Sequence, residues 1–189
     1  MSVFILATLD TKGEEAAFLR DQLVRARVPV TLVDTGALGT PAVTADIARR
    51  EVFAAAGADL TEVAQARDRG QAISLAAAGA ARLAREHFTL GELSGVLAIG
   101  GSAGTTIGTA AMRSLPLGVP KLMVSTLASG QVRQYVGDKD ILMLNSIVDI
   151  AGLNRISREV LGNAAAAMAG MVAARQRSES RPPERDRPL

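Results

Sequence analysis

Val3-Phe4-Ile5-Leu6-Ala7-Thr8-Leu9 is an unbroken apolar run, partly β-branched, and it is followed at once by Asp10-Thr11-Lys12-Gly13-Glu14. A run with no polar alternation predicts a strand covered on both faces, as in a parallel sheet. Working outward, Ala16, Leu19, Leu23 and Ala26 fall on one helical face, and Val28-Pro29-Val30-Thr31-Leu32-Val33 is a second buried strand ending at Asp34-Thr35-Gly36. Strand, helix and strand within about 30 residues form a right-handed βαβ unit.

The pattern repeats downstream. Residues 37–43 read as a loop, and Thr44 or Asp46 is expected to cap a helix reaching Ala55. An alanine-rich helix is expected from Arg67 to His87. Strands follow at 94–99, 120–125 and 141–144, with helices at about 105–114 and 157–174. The expected fold is therefore α/β: a doubly wound, mostly parallel sheet of five to six strands, Rossmann-like or flavodoxin-like. Residues 1–176 would make one domain and 177–189 a disordered tail rich in Arg and Pro.

Composition removes many functions. The 189 residues contain no cysteine, no tryptophan and one histidine, His87, which excludes disulfides, thiolate chemistry and multi-histidine metal sites. With 3% aromatics, base-stacking platforms are not expected. Residues 175–189 hold five arginines and three acids, so the net charge of +2 resides there and the remaining 174 residues are neutral. Nucleic acid is accordingly an unlikely partner. No apolar run approaches the roughly 20 residues of a membrane span and no basic leader precedes the first one, so a cytoplasmic protein is expected.

In such a sheet, ligands bind beyond the carboxyl ends of the strands. The strongest signal there is Gly100-Gly101-Ser102-Ala103-Gly104-Thr105. Its glycines admit close approach to backbone amides, and the following helix start is positively polarised, which suits phosphate or carboxylate oxygens. A tight structural turn would need the same small residues, and the spacing is neither a P-loop nor GxGxxG. A second observation favours an anion: residues 93–137 contain no Asp or Glu, yet include Arg113, Lys121 and Arg133.

Thr8, Asp10, Thr11, Lys12 and Gly13 form another candidate segment. Thr11 and Glu14 have capping-box spacing, a structural device that is compatible with Lys12 reaching a ligand. Asp34 ends a strand where dinucleotide folds place a ribose-binding carboxylate. Ser125, Thr126, Ser129 and Gly130 are a hydroxyl-rich turn expected near the glycine loop. The segment 145–155 reads as a packed loop, and Asp10 or Asp149 could position Mg²⁺ or a ribose. His87, at a helix end, is not a catalytic candidate.

Four runs carry a resemblance: residues 9–14, 99–105, 115–126 and 148–157, quoted in part above and including Leu115-Pro116-Leu117-Gly118-Val119-Pro120-Lys121 and Val148-Asp149-Ile150-Ala151-Gly152-Leu153-Asn154-Arg155. In this order they resemble the N-terminal half of a bacterial and fungal family related to the tomato mosaic virus resistance protein of plants, an inhibitor of viral RNA replication. The resemblance implies a Rossmann-like domain that binds ATP or a related nucleotide, with Mg²⁺ as an expected companion, and that helps to build a homodimer. It places the nucleotide loops at residues 8–13, 100–105 and 125–130. The family usually has glycine where Ala103 stands. Its members usually continue into a second α/β domain, for which the alternatives here are a separate polypeptide or a shortened relative. The alternatives are half of a two-part enzyme acting on a phosphorylated or carboxylate substrate, or a structural dimerisation unit. The viral-inhibitor activity is not carried over.

Overall fold

A computed structural model describes residues 1–130 and 132–179 of the chain. Its centre is a five-stranded, all-parallel sheet: β1 (Ser2–Ala7), β2 (Val30–Asp34), β3 (Leu93–Gly100), β4 (Lys121–Ser125) and β5 (Leu142–Asn145). The spatial order is β2-β1-β3-β4-β5, the flavodoxin-like arrangement among doubly wound sheets. Because the chain winds outward from β1 to β2, then returns past β1 to β3, the direction of winding reverses between β1 and β3. A crevice opens at that reversal, at the carboxyl ends of the strands.

The apolar runs are continuous because both faces of the sheet are covered. Val3, Ile5, Leu97 and Ile99 point toward α1 (Leu9–Arg25) and α7 (Arg155–Glu179). Phe4, Leu6, Val96 and Ala98 point toward α2 (Arg49–Ala55), α4 (Arg69–Thr89) and α5 (Ser102–Arg113). Two short helices complete the chain, α3 (Leu60–Ala66) and α6 (Arg133–Val136).

The expected helix capped by Thr44 or Asp46 begins later. Asp46 Oδ2 instead accepts the Leu32 N–H at 2.7 Å, and Ile47 bridges to Val33. Residues 46 and 47 thus cover the edge of β2, which would otherwise present unpaired amides. The start of α2 is closed by Glu51, whose Oε1 accepts the Ala48 N–H at 2.8 Å. The single helix expected from residue 67 is preceded by α3, whose start is capped by Asp59 accepting from Thr61 N and Glu62 N. The last helix runs to Glu179, beyond the expected boundary at 176, and the expected tail from 180 onward lies outside the described residues.

Candidate functional site

The turn after β3 is built by glycines that have no room for a side chain. A Cβ on Gly100 would stand 2.8 Å from Gly104 Cα, and one on Gly104 would stand 2.8 Å from the Ile99 carbonyl oxygen. Gly100 also has φ +156°. These two glycines let the strand fold directly into α5. Gly101 differs: among the described residues a Cβ there would meet only Thr126 Oγ1, at 3.6 Å. Packing does not require glycine at 101, and its missing side chain leaves space in front of the helix.

That helix start is open. Gly101 is the N-cap of α5, offers no side-chain cap, and no acid lies in the first turn. The first amides of a helix have no partner inside it, so those of 102–104 point outward with the positive end of the helix dipole. By contrast, α3 and α4 are capped by Asp59 and Asp68. The turn is held from behind by a chain of hydroxyls. Leu127 N–H donates to Ser125 Oγ at 3.0 Å, Ser125 Oγ lies 2.6 Å from Thr105 Oγ1, and Thr105 Oγ1–H donates to the Gly101 carbonyl at 2.8 Å. Both Ser125 and Thr105 are fully buried.

In front of the turn lies a cavity of about 800 Å³, a size usual for small-molecule sites. Among the candidates from sequence, Thr8, Asp10, Thr11, Lys12 and the residues 100–104 (Gly100, Gly101, Ser102, Ala103 and Gly104) line it together. Asp149 joins them because α1 holds its loop: the Lys12 ammonium donates to the Ile150 carbonyl, and Glu15, buried, accepts the Gly152 N–H at 2.7 Å.

Other candidates stand elsewhere. Thr105 and Ser125 support the turn from within. Thr126 lies beside Gly101 at the margin, and Ser129 and Gly130 are exposed beyond it without lining the cavity. Gly13 is buried, and a Cβ there would come 2.9 Å from Ala42 Cβ, so its smallness serves packing. Asp34 faces inward rather than toward a ribose. Its Oδ1 accepts Leu9 N–H at 3.1 Å and Gly36 N–H at 2.9 Å, and its Oδ2 accepts from Arg49 Nε at 2.7 Å. The Thr11–Glu14 capping box does not form, because the helix starts earlier, with Thr8 as N-cap and a break in helical geometry at Lys12. Thr8 and Thr11 pair their hydroxyls at 2.8 Å instead.

The cationic residues of the acid-free stretch are also displaced. Lys121 begins β4, at the end of the sheet opposite the cavity, and is wholly buried. Its ammonium donates to the Pro116 and Val119 carbonyls and to Asp140 at 2.7 Å. Arg113, at the far end of α5, donates to Thr109 Oγ1 and the Tyr135 carbonyl. His87 lies at that lower end too, its Nδ1 2.7 Å from Glu92 Oε2.

Sequence reasoning put the end of β2, with Thr35 and Gly36, at this edge of the sheet but stopped short of Ala37 and Leu38, which extend that wall; it missed a second wall altogether, the α3–α4 junction, with Val63, Arg67, Arg69, Ala72, Ile73 and Ala76. The second wall had a signal: Asp68-Arg69-Gly70-Gln71 has the spacing of a helix N-cap, and Asp68 Oδ1 does accept the Gln71 N–H at 2.9 Å.

Asp10 carries the clearest unmet valence at the site. Its Oδ1 is buried and has no hydrogen-bond partner among the described residues. No group of three or more His, Cys, Asp or Glu among those residues could hold a metal by itself. No helix among them is long and apolar enough to cross a membrane.

Comparison with known proteins identifies the family. A family model described as the N-terminal domain of an uncharacterised protein family, UPF0261, matches residues 1–177. A UPF0261 protein of Clostridium tetani is 42% identical over 170 residues, which is 90% of this chain and 42% of that protein. One of Rhizobium meliloti is 45% identical over 170 residues, again 90% of this chain and 42% of its own length. The ToMV susceptible protein tm-1(GCR26) of Solanum lycopersicum is 35% identical over 191 residues, covering 93% of this chain and 25% of that protein. The chain thus spans about two fifths of the bacterial relatives and a quarter of the tomato protein. On a match that covers nearly the whole chain, the protein belongs to the UPF0261 family, in the region of its N-terminal domain.

Proposed function

We propose that the cavity binds ATP or a related nucleotide, with its phosphates against the amides of 102–104. The observation that carries this reading is the uncapped start of α5, fronted by a glycine that packing does not require. Oriented amides and a helix dipole stabilise a bound phosphate without any side-chain cation. Ser102 adds a hydroxyl at the cavity wall.

Mg²⁺ fits the same place. The orphaned Asp10 Oδ1 and the Asp149 carboxylate, both lining the cavity, would supply hard oxygen ligands, and the phosphates would supply the rest. The ion would neutralise the repulsion between these carboxylates and the ligand. The apolar walls exclude water around the body of the ligand, which strengthens each polar contact at the turn.

The greater length of the relatives favours a second reading, in which this cavity is half of a catalytic site completed by another domain. Phosphate release that requires an added second-domain protein would support it, and none in any mixture would remove it.

Thermal denaturation with ATP, GTP, NAD and inorganic phosphate, each with and without Mg²⁺, tests nucleotide binding. A true ligand at 100 times its Kd adds about 2.7 kcal/mol of stability. Saturable stabilisation by a nucleotide is the expected result. An unchanged melting curve with every nucleotide overturns the reading.

A further inference from the structure

We infer that the ligand is a nucleotide with a second anionic group that ATP itself lacks, a phosphate or carboxylate on the side away from the 100–104 turn, held by Arg67 and Arg69 at the start of α4. This rests on the proposal that the turn itself holds phosphate.

The topology brings two helix starts to one cavity. Helices α4 and α5 pack side by side on the same face of the sheet, each returning from its carboxyl edge to feed the next parallel strand. Neighbouring helix axes stand about 8–10 Å apart, so one ligand of ordinary size can touch both starts.

The segment before α4 is arranged to present arginines. Arg67 closes α3 in the left-handed region, at φ 52°, and is one of three such non-glycine residues among those described. Both Arg67 and Arg69 line the cavity, are exposed to solvent, and have no hydrogen-bond or ion-pair partner among the described residues. Asp68, between them, is occupied in capping α4 through the Gln71 N–H. Asp68 lines the cavity as well, and its charge offsets the dipole of that helix, so the two guanidinium groups are the positive elements of this wall. Their planar forks match phosphate or carboxylate oxygens.

Between the two anion sites the surface is aliphatic: Val63, Ala72, Ile73 and Ala76 on the α3–α4 side and Ile107 on α5. From Arg69 to Ala76 the helix rises about 10 Å, which gives an apolar wall long enough for a sugar and base or a comparable body. Among the described residues no aromatic side chain lines the cavity, so stacking does not orient that body. A charged contact at the far end would fix it.

The test uses matched ligands that differ by one ribose phosphate: NADP⁺ with NAD⁺, coenzyme A with dephospho-coenzyme A, and adenosine 3′,5′-bisphosphate with AMP. Calorimetric titration of the full chain should show at least tenfold tighter binding of the additionally phosphorylated member in one or more pairs. The double variant Arg67→Asn/Arg69→Ala should abolish that preference and leave the other member's affinity unchanged. Asn tolerates positive φ, and an unaltered melting temperature would report an intact fold. Equal, measurable affinities within every pair overturn this inference and leave the phosphate turn standing. A preference that survives the double variant overturns the arginine assignment. No binding by any of these ligands or by ATP overturns both readings.

Discussion

Arg49 Nε donates to Asp34 Oδ2 at 2.7 Å while its Nη1 donates to the Leu38 and Gly39 carbonyls, so one guanidinium joins the end of β2 to the loop that walls the cavity. Asp34 is almost fully enclosed and Arg49 nearly so. The same carboxylate receives the N–H of Leu9 and of Gly36, which ties the start of α1 to this loop.

Removing Asp34 should therefore cost more than a surface ion pair. Asp34→Ala strands a buried guanidinium and two amides, and breaking a buried pair in this way costs about 3–5 kcal/mol. Chemical denaturation should show a loss of that size for Asp34→Ala. Arg49→Lys keeps a charge but cannot hold both the carboxylate and the loop carbonyls, and should raise hydrogen exchange at 36–39. Exchange and stability unchanged from the parent in both variants would show that the clasp contributes nothing.

Gly101→Asp should abolish nucleotide binding in a folded protein. Among the described residues a Cβ at 101 has only Thr126 Oγ1 nearby, at 3.6 Å, so the side chain has room, but its carboxylate would sit where the phosphates are proposed. Gly104→Ala is the contrasting variant, because its Cβ would meet the Ile99 carbonyl at 2.8 Å and distort the turn itself. The expected result is a cooperative melt without nucleotide stabilisation for Gly101→Asp, and a lowered melting temperature for Gly104→Ala. Retained affinity in folded Gly101→Asp protein would place the phosphates elsewhere.

The fold was readable because four buried runs and a short apolar edge run at 142–145, each bounded by turn residues, leave few arrangements other than a doubly wound parallel sheet. The half of the site made by the β1 and β3 ends was readable for the same reason: topology alone brings Thr8 and Gly101 to one edge. The other half was not. Val63, Ile73 and Ala76 look like ordinary core positions in sequence, and nothing in their spacing tells that they line a cavity. Lys121 misled in the opposite sense. A lysine in an acid-free stretch suggests a free cation, yet its partner Asp140 lies just beyond the stretch, and three oxygens satisfy the ammonium inside the protein.

That buried lysine gives the protein a defined acid response. Burial alone pushes the Asp140 carboxyl up, but the Lys121 hydrogen bond, the Gly118 N–H at 2.8 Å and the lysine's charge outweigh it and hold it below its ordinary value of 3.8. A carboxyl lowered on folding contributes stability above its unfolded value and loses it as pH falls through the folded one. Asp140→Asn should therefore be less stable than the parent at pH 7, with the gap closing as pH falls below about 3.8. Urea denaturation from pH 7 to 3 measures it. A gap that stays constant across that range would show that the pair is not responsible.

A last comparison isolates helix packing from helix propensity. Gly79 in α4 and Gly170 in α7 are both interior helical glycines, and alanine at either should gain about 1 kcal/mol from propensity alone. Their surroundings differ completely. A Cβ on Gly79 would fall 1.9 Å from the Val52 carbonyl oxygen, backbone that cannot swing aside, whereas nothing among the described residues lies within 4 Å of one on Gly170. Gly79→Ala must push α2 away from α4, and overpacking of this kind costs about 1–3 kcal/mol. Gly170→Ala should raise the denaturation midpoint, and Gly79→Ala should lower it despite the same intrinsic gain. Because α4 also carries Ala72, Ile73 and Ala76 into the cavity wall, the displaced helix should weaken ligand binding as well. Equal midpoint shifts of the same sign in both variants would mean that the α2–α4 contact yields without cost, and would remove the argument that it holds this wall in place.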